Sequence, residues 1–160
     1  MLEDKRIIVT GSARGMGLAT LTAFVQAGAR VVGMDINDAD GEQAARDANA
    51  LGPGKASYLH IDIADKSSVE TAFQEAVNWL GGLDVLAHPA AIQAGSAASD
   101  VSVEHWDQMF AVNVRGTMIT NQAAYHHMKA AGGGSIINFG SISGQRAEPG
   151  AVAYSASKGA

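Results

Sequence analysis

A chain of 160 residues with 47% hydrophobic and 17% charged side chains is long enough to enclose a sizeable core and reads as one globular domain. Its formal charge of −5 gives no electrostatic footprint for nucleic acid or an anionic membrane surface, and the absence of cysteine excludes disulfide and thiolate chemistry. No apolar run approaches the length of a membrane span and the first residues carry no signal-peptide stretch, so the cytoplasm is the expected location.

Short apolar runs alternate with amphipathic stretches. Arg6–Thr10 (R-I-I-V-T) predicts a buried first strand, followed by a glycine-rich turn and a helix over Gly15–Ala27 that Gly28-Ala29 closes. Arg30–Met34 predicts the second strand, ended by Asp35, and a helix follows over Asp38–Leu51. Gly52-Pro53-Gly54 leads into a third strand over Ala56–Ile61. Ser67-Ser68-Val69-Glu70 has the spacing of a capping box and predicts a helix running to Leu80. A fourth strand is expected over Leu83–Ala87, then a small, polar loop over Gln93–Asp100 whose composition suits mobility. A long helix over Val103–Ala130, a fifth strand over Ser135–Phe139 and a last helix from Pro149 onward complete the series. Continuous apolar strands alternating with helices imply a parallel sheet covered on both faces. The sequence shows no internal repeat, low-complexity segment or linker.

Between the first strand and its helix lies Thr10-Gly11-Ser12-Ala13-Arg14-Gly15-Met16-Gly17, where a phosphate cradle belongs. Gly11 permits a tight turn, Gly15 a close approach of backbone to a pyrophosphate, and Gly17 close packing of helix on strand. Glycines between elements are also plain turns. Asp35 adds weight, because it ends the second strand 24 residues after Gly11, near the spacing of an acid that hydrogen-bonds a ribose. Its carboxylate would repel a 2′-phosphate and so favours NAD over NADP. Arg14 argues the other way, as a cation able to pair with that phosphate, whereas Ile36 supplies no second cation. The alternative for Asp35 is a turn cap before Asn37-Asp38.

Tyr154 and Lys158 stand four residues apart, with Ser141 thirteen residues before the tyrosine. On a helix, residues i and i+4 share a face, so the phenol and the ammonium can meet. An ammonium about 4 Å from a phenol, at an effective dielectric of about 20, is worth roughly 4 kcal/mol, enough to make a group of pKa about 10 a proton shuttle near neutrality. The same spacing also fits a half-buried aromatic beside a solvated lysine. The five histidines form no metal-site pattern, and adjacent His126 and His127 fit a solvated helix edge.

With these residues in place the chain resembles the short-chain dehydrogenase/reductase family along its whole length. Thr10–Gly17 matches T-G-x-x-x-G-x-G, and His60-Ile61-Asp62-Ile63 is similar to the stretch that contacts adenine through its aspartate. Asn113-Val114-Arg115-Gly116 resembles the segment with the asparagine of the long helix, Gly134–Ser141 the serine block, and Tyr154–Lys158 (Y-S-A-S-K) the active-site motif. The resemblance implies a Rossmann-type doubly wound sheet and an NAD-dependent oxidoreductase interconverting a secondary alcohol and a ketone. It implies that Ser141 bonds the substrate oxygen, Tyr154 is the general acid and base, Lys158 holds the nicotinamide ribose, and Asn113 positions a relay water. Asn113 also reads as a polar residue answering a local helix irregularity. Cofactor contacts are implied for Gly11, Arg14, Gly15, Met16, Gly17, Asp35, Ile36, Asp62, Ile63, Ala90, Tyr154 and Lys158, with no metal. A homodimer or homotetramer packed through the long helix and the Tyr–Lys helix is the implied assembly.

Two departures stand out. Where the family reads N-N-A-G after strand four, this chain has His88-Pro89-Ala90-Ala91. His88 is able to replace one asparagine hydrogen bond, Pro89 removes a backbone donor, and Ala91 enters positive φ less easily than glycine. The second departure is length. Family members continue through a sixth strand, a substrate-covering loop and a seventh strand. The 160 residues are therefore expected to be five strands of a longer protein, a single dinucleotide-binding domain truncated within the active-site helix. Two rivals stand beside the enzyme: a non-catalytic NAD(H)-binding or redox-sensing protein, and an inert fragment. Gln145, Arg146 and Glu148 fit either a polar substrate pocket or a surface loop.

Overall fold

The computed structural model describes residues 2–160. Strand β1 (Arg6–Thr10) lies between two parallel partners, β2 (Arg30–Asp35) and β4 (Val85–His88). Ile7, Ile8 and Val9 are consequently inaccessible to solvent. Strand β3 (Lys55–His60) pairs with β2, and β5 (Ser135–Asn138) with β4, giving the parallel order β3-β2-β1-β4-β5.

Alternate residues of β1 feed two cores. Ile7 and Val9 pack with Leu21 and Val25 of helix α1 (Gly15–Gln26) and with Ala44, Ala45 and Ala48 of α2 (Asp38–Asn49). Ile8 faces the other layer, meeting Val69 and Phe73 of α3 (Lys66–Leu80) and Ile119, Ala124 and Met128 of α5 (Thr117–Ala130). The period-2 pleat thus builds a doubly wound Rossmann-type sandwich. The chain winds outward to β3, then crosses back past β1 to β4. The strand order therefore reverses between β1 and β4, and their C-terminal ends leave a crevice there.

Several expected boundaries move. β3 begins and ends one residue early, β4 spans Val85–His88 rather than Leu83–Ala87, and β5 stops at Asn138. The expected capping box is not formed: α3 starts at Lys66, and Asp65 caps it by accepting from the Ser67 amide and hydroxyl. Ser68 instead accepts from the Asp62 amide. The long helix has three parts, α4 (Val103–Phe110), a wide π-type stretch over Ala111–Gly116, and α5. The last helix, α6 (Val152–Gly159), begins after Pro149-Gly150, because Gly150 takes φ +76°. Among the described residues no helix is long and apolar enough to cross a membrane.

Candidate active site

The glycine-rich turn lies against the segment that follows β4. Gly11 has φ +63°, and a Cβ there would meet the Ala90 Cα at 2.8 Å, while one on Gly17 would run into the Gly11 carbonyl. The residue before α1, Arg14, makes no side-chain cap. The first amides of α1 have no intrahelical partner, so they present donors and partial positive charge toward the crevice.

Gly11, Arg14, Met16, Gly17, Asp35, Ile36, Asp62, Ile63 and Ala90 all line one cleft of about 640 Å³. Pro89, Ile92, Gln108 and Val112 are among the other residues of its wall, none of which the sequence pattern singled out as a lining residue. Gly15, Tyr154 and Lys158 are not among its lining residues. The Asp35 carboxylate accepts from the Ala13 amide through Oδ2 and from the Asn37 amide through Oδ1, both at 3.0 Å. It is thus a turn cap, yet each oxygen keeps a lone pair for a further donor. Asp62 Oδ1 accepts from the Ala64 amide at 2.9 Å.

His88 is only 3% exposed, at the end of β4. The hydroxyl network assigns its tautomer. Thr117 Oγ1 donates to the Asn113 carbonyl at 2.8 Å, so it accepts from His88 Nε2–H at 3.1 Å. His88 Nδ1 is left to accept from Thr10 Oγ1 at 2.8 Å. The imidazole therefore ties the end of β1 to the start of α5, two bonds where one was expected. Burial, with the Lys158 charge second, pushes its pKa down to about 4, so it is neutral near pH 7. Pro89 follows the last ladder pair, His88 with Asn138, and costs the sheet no bond. Ala91 is not forced into positive φ: Asp4 is the one non-glycine with that conformation among the described residues.

Asn113 is buried in the π-type stretch. Its carboxamide accepts from the Ile92 amide and donates to the Ile92 carbonyl, both at 2.9 Å, and donates to Ser157 Oγ at 3.0 Å. Ser157 donates onward to the Tyr154 carbonyl at 2.8 Å. The side chain therefore staples the loop after β4 to α6. Ser157 is the partner that sequence reasoning missed, since nothing local marks a contact 44 residues away.

Lys158 Nζ donates to the Phe139 carbonyl at 3.0 Å and lies 6.0 Å from the centre of the Tyr154 ring, within cation–π reach. Burial lowers its pKa from the ordinary value. Ser141 opens a short 3₁₀ turn (Ile142–Gly144), its Oγ accepting from the Ser143 amide at 3.2 Å. Gly144 packs so closely on the Lys158 carbonyl that a Cβ would not fit. Ser141 thus opens the turn that packs on α6, which carries Tyr154 and Lys158; the Ser141 and Lys158 side chains each have a hydrogen-bond partner, and Tyr154 meets Lys158 through its ring. Gln145, Arg146 and Glu148 are exposed.

This sheet order and crevice define a Rossmann-type α/β protein. The chain matches the short chain dehydrogenase family over residues 5–160, and it belongs to that family. It is 38% identical over 159 residues to cyclopentanol dehydrogenase of Comamonas sp., covering 99% of this chain and 63% of that protein. It is also 38% identical to sorbitol dehydrogenase of Cereibacter sphaeroides, covering 99% of this chain and 61% of the relative. A crystal structure of a short chain dehydrogenase from Mycobacterium smegmatis superposes with a TM-score of 0.95 at 28% identity, over 99% of this chain and 67% of that one. The chain thus spans a little over three-fifths of the length of these curated relatives.

Proposed function

We propose that the protein is an NAD-dependent oxidoreductase that interconverts a secondary alcohol and a ketone, with Tyr154 as its general acid and base. The observation that carries this reading is the pairing of an uncapped α1 start with the Asp35 carboxylate on the wall of one cleft. The residues present fit a dinucleotide: free amides of α1 suit a pyrophosphate, Asp35 suits a ribose diol, and Asp62 and Ile63 border the far end of the cleft. Asp35 disfavours a 2′-phosphate. Ile36, 63% exposed, offers no cation to offset that repulsion, which leaves Arg14 as the opposing charge.

When bound, the nicotinamide supplies the two-electron acceptor or donor. Tyr154 exchanges the proton at the substrate oxygen, and Ser141 donates a hydrogen bond to that oxygen. Lys158, beside the phenol ring, would hold the nicotinamide ribose. Asn113 orients α6 through Ser157 and the Tyr154 carbonyl, and holds the relay water. The cyclopentanol and sorbitol dehydrogenases among the relatives support a CH–OH substrate.

The test uses the whole protein. NADH fluorescence titration is expected to show saturable binding, and Tyr154→Phe to lower turnover of a secondary alcohol by about 10²–10⁴-fold with NADH affinity retained. Turnover unchanged in Tyr154→Phe overturns the assigned proton transfer. Binding without turnover in the wild type leaves a non-catalytic NAD(H) binder.

A further inference from the structure

We propose that Tyr58 is a specificity-determining positioning residue: it pins the turn between β2 and α2, so that Asp35 and Ile36 stay fixed at the rim of the cleft. The site then holds a dinucleotide with a free ribose 2′-hydroxyl and excludes one bearing a 2′-phosphate. This rests on the nicotinamide-cofactor reading above.

Tyr58 does not line the cleft; Asp35 and Ile36 do. Its hydroxyl lies 2.7 Å from the Asp35 carbonyl and 2.8 Å from Asp38 Oδ1, so its one proton is shared between the two sides of the turn. The Asp35 carbonyl also accepts from the Ile61 amide at 3.0 Å. The phenol ring reaches this position by lying flat on α2 at Gly41, where any Cβ would collide with it. Tyr58 is opposite Gly33 in the β2 register, so the pairing of β3 with β2 fixes where the ring begins.

Burial does not hold this turn. Ile36, 63% exposed, contributes nothing to either core, and residues 36–40 are exposed throughout. The turn's own bonds are local: the Asn37 amide to Asp35 and the Asn37 side chain to Asp40. From outside, the Ala13 and Ile61 amides reach only Asp35, whereas among the described residues the far side of the turn, at Asp38, is reached by β3 alone, through Tyr58 and through His60 Nδ1, 2.8 Å from Asp38 Oδ1. Of these two, Tyr58 alone also touches Asp35. Burial, and after it the bond to the Asp38 carboxylate, raise the Tyr58 pKa, which keeps the hydroxyl a donor at working pH. A fixed turn presents Asp35 pre-oriented to a ribose diol and gives a 2′-phosphate no room to push it aside.

The experiment compares dissociation constants for NADH and NADPH by titration of the whole protein, with thermal melts alongside. Wild type is expected to prefer NADH. Tyr58→Phe, which keeps the ring and loses the hydroxyl, is expected to narrow that preference by about three- to tenfold, the worth of one net hydrogen bond. Gly41→Ala, which displaces the ring, is expected to narrow it similarly. His60→Ala is expected to leave the ratio within about twofold, because its pair with Asp38 is exposed. A lower melting temperature with an unchanged ratio in Tyr58→Phe overturns the proposal and leaves a structural residue. A wild type that binds neither cofactor overturns the cofactor reading itself, and one that prefers NADPH overturns the assignment to Asp35.

Discussion

β1 and β5 are parallel strands of one sheet, yet they are held by different physics. β1 has a partner on each edge and a helical layer on each face, with Ile7, Ile8 and Val9 fully buried. β5 is paired along β4, and all four of its residues are exposed. The glycine-rich turn grows from the first strand; Ser141 and α6 follow the second. The glycine-rich turn thus rests on burial, whereas α6, which carries Tyr154 and Lys158, is tied down by directional bonds as well: Asn113 to Ser157, Lys158 to the Phe139 carbonyl, and the Val152 amide to the Ser96 carbonyl. Stability and reactive geometry should therefore be separable by mutation.

The largest expected contrast comes from shaving one isoleucine in each strand. Ile8→Ala empties a fully buried site in the larger core and should cost about 2–5 kcal/mol in urea unfolding. Ile137, 43% exposed, has little to lose, and Ile137→Ala in this chain should cost less than about 1 kcal/mol. Equal costs would mean that β5 is as well packed as β1.

His88 sharpens the comparison by pH. Its pKa falls from the ordinary 6.5 to about 4 in the folded chain, so the unfolded chain takes up the proton first. Stability is then full above about pH 6.5 and declines as the pH drops toward 4, by roughly 3 kcal/mol for this one group. His88→Asn should flatten that decline relative to wild type between pH 7 and 4.5. A parallel decline in both proteins would remove His88 from the account.

Next in size is Asn113→Ala. It strands the Ile92 amide and carbonyl together and removes the bond to Ser157 Oγ, which keeps only its own bond to the Tyr154 carbonyl. Ile92 is only half-buried, so water relieves part of the loss and about 2 kcal/mol is expected. Amide exchange at Ile92 should quicken well before global unfolding, which identifies the local staple.

What was legible in the sequence follows the same division. Apolar runs announced the strands and the glycine turn announced the crevice, because burial and φ preferences are written locally. The π-type stretch at Ala111–Gly116 was not legible; only Asn113, an amide in mid-helix, hinted at an irregularity there. The capping box failed because Asp65, two residues upstream, offered its carboxylate to the Ser67 amide and hydroxyl, and Ser68 was drawn to Asp62. Contacts such as Tyr58 to Asp35 depend on strand register and on a missing Cβ at Gly41, neither of which has a local signature.

The smallest effect tests whether the sheet's far end matters to the cleft. Asp84 accepts from the Arg6 guanidinium and from the Arg6 amide, joining the start of β1 to the residue before β4. The Arg6 hydrogen bond holds its carboxyl down at about 2, against an ordinary 3.8. A depressed carboxyl stabilises the fold above the unfolded value, and that contribution is lost as the pH falls from about 3.8 through about 2. Both side chains are about a quarter to a third exposed, so screening reduces the contribution to about 1 kcal/mol. Asp84→Asn should show that loss at pH 7 and a weaker acid limb in its unfolding curve. Because the pair lies at the N-terminal end of the strands, opposite the crevice, NADH affinity should not change. A parallel loss of affinity would mean that the sheet transmits strain along its strands, and that stability and site geometry are not separable after all.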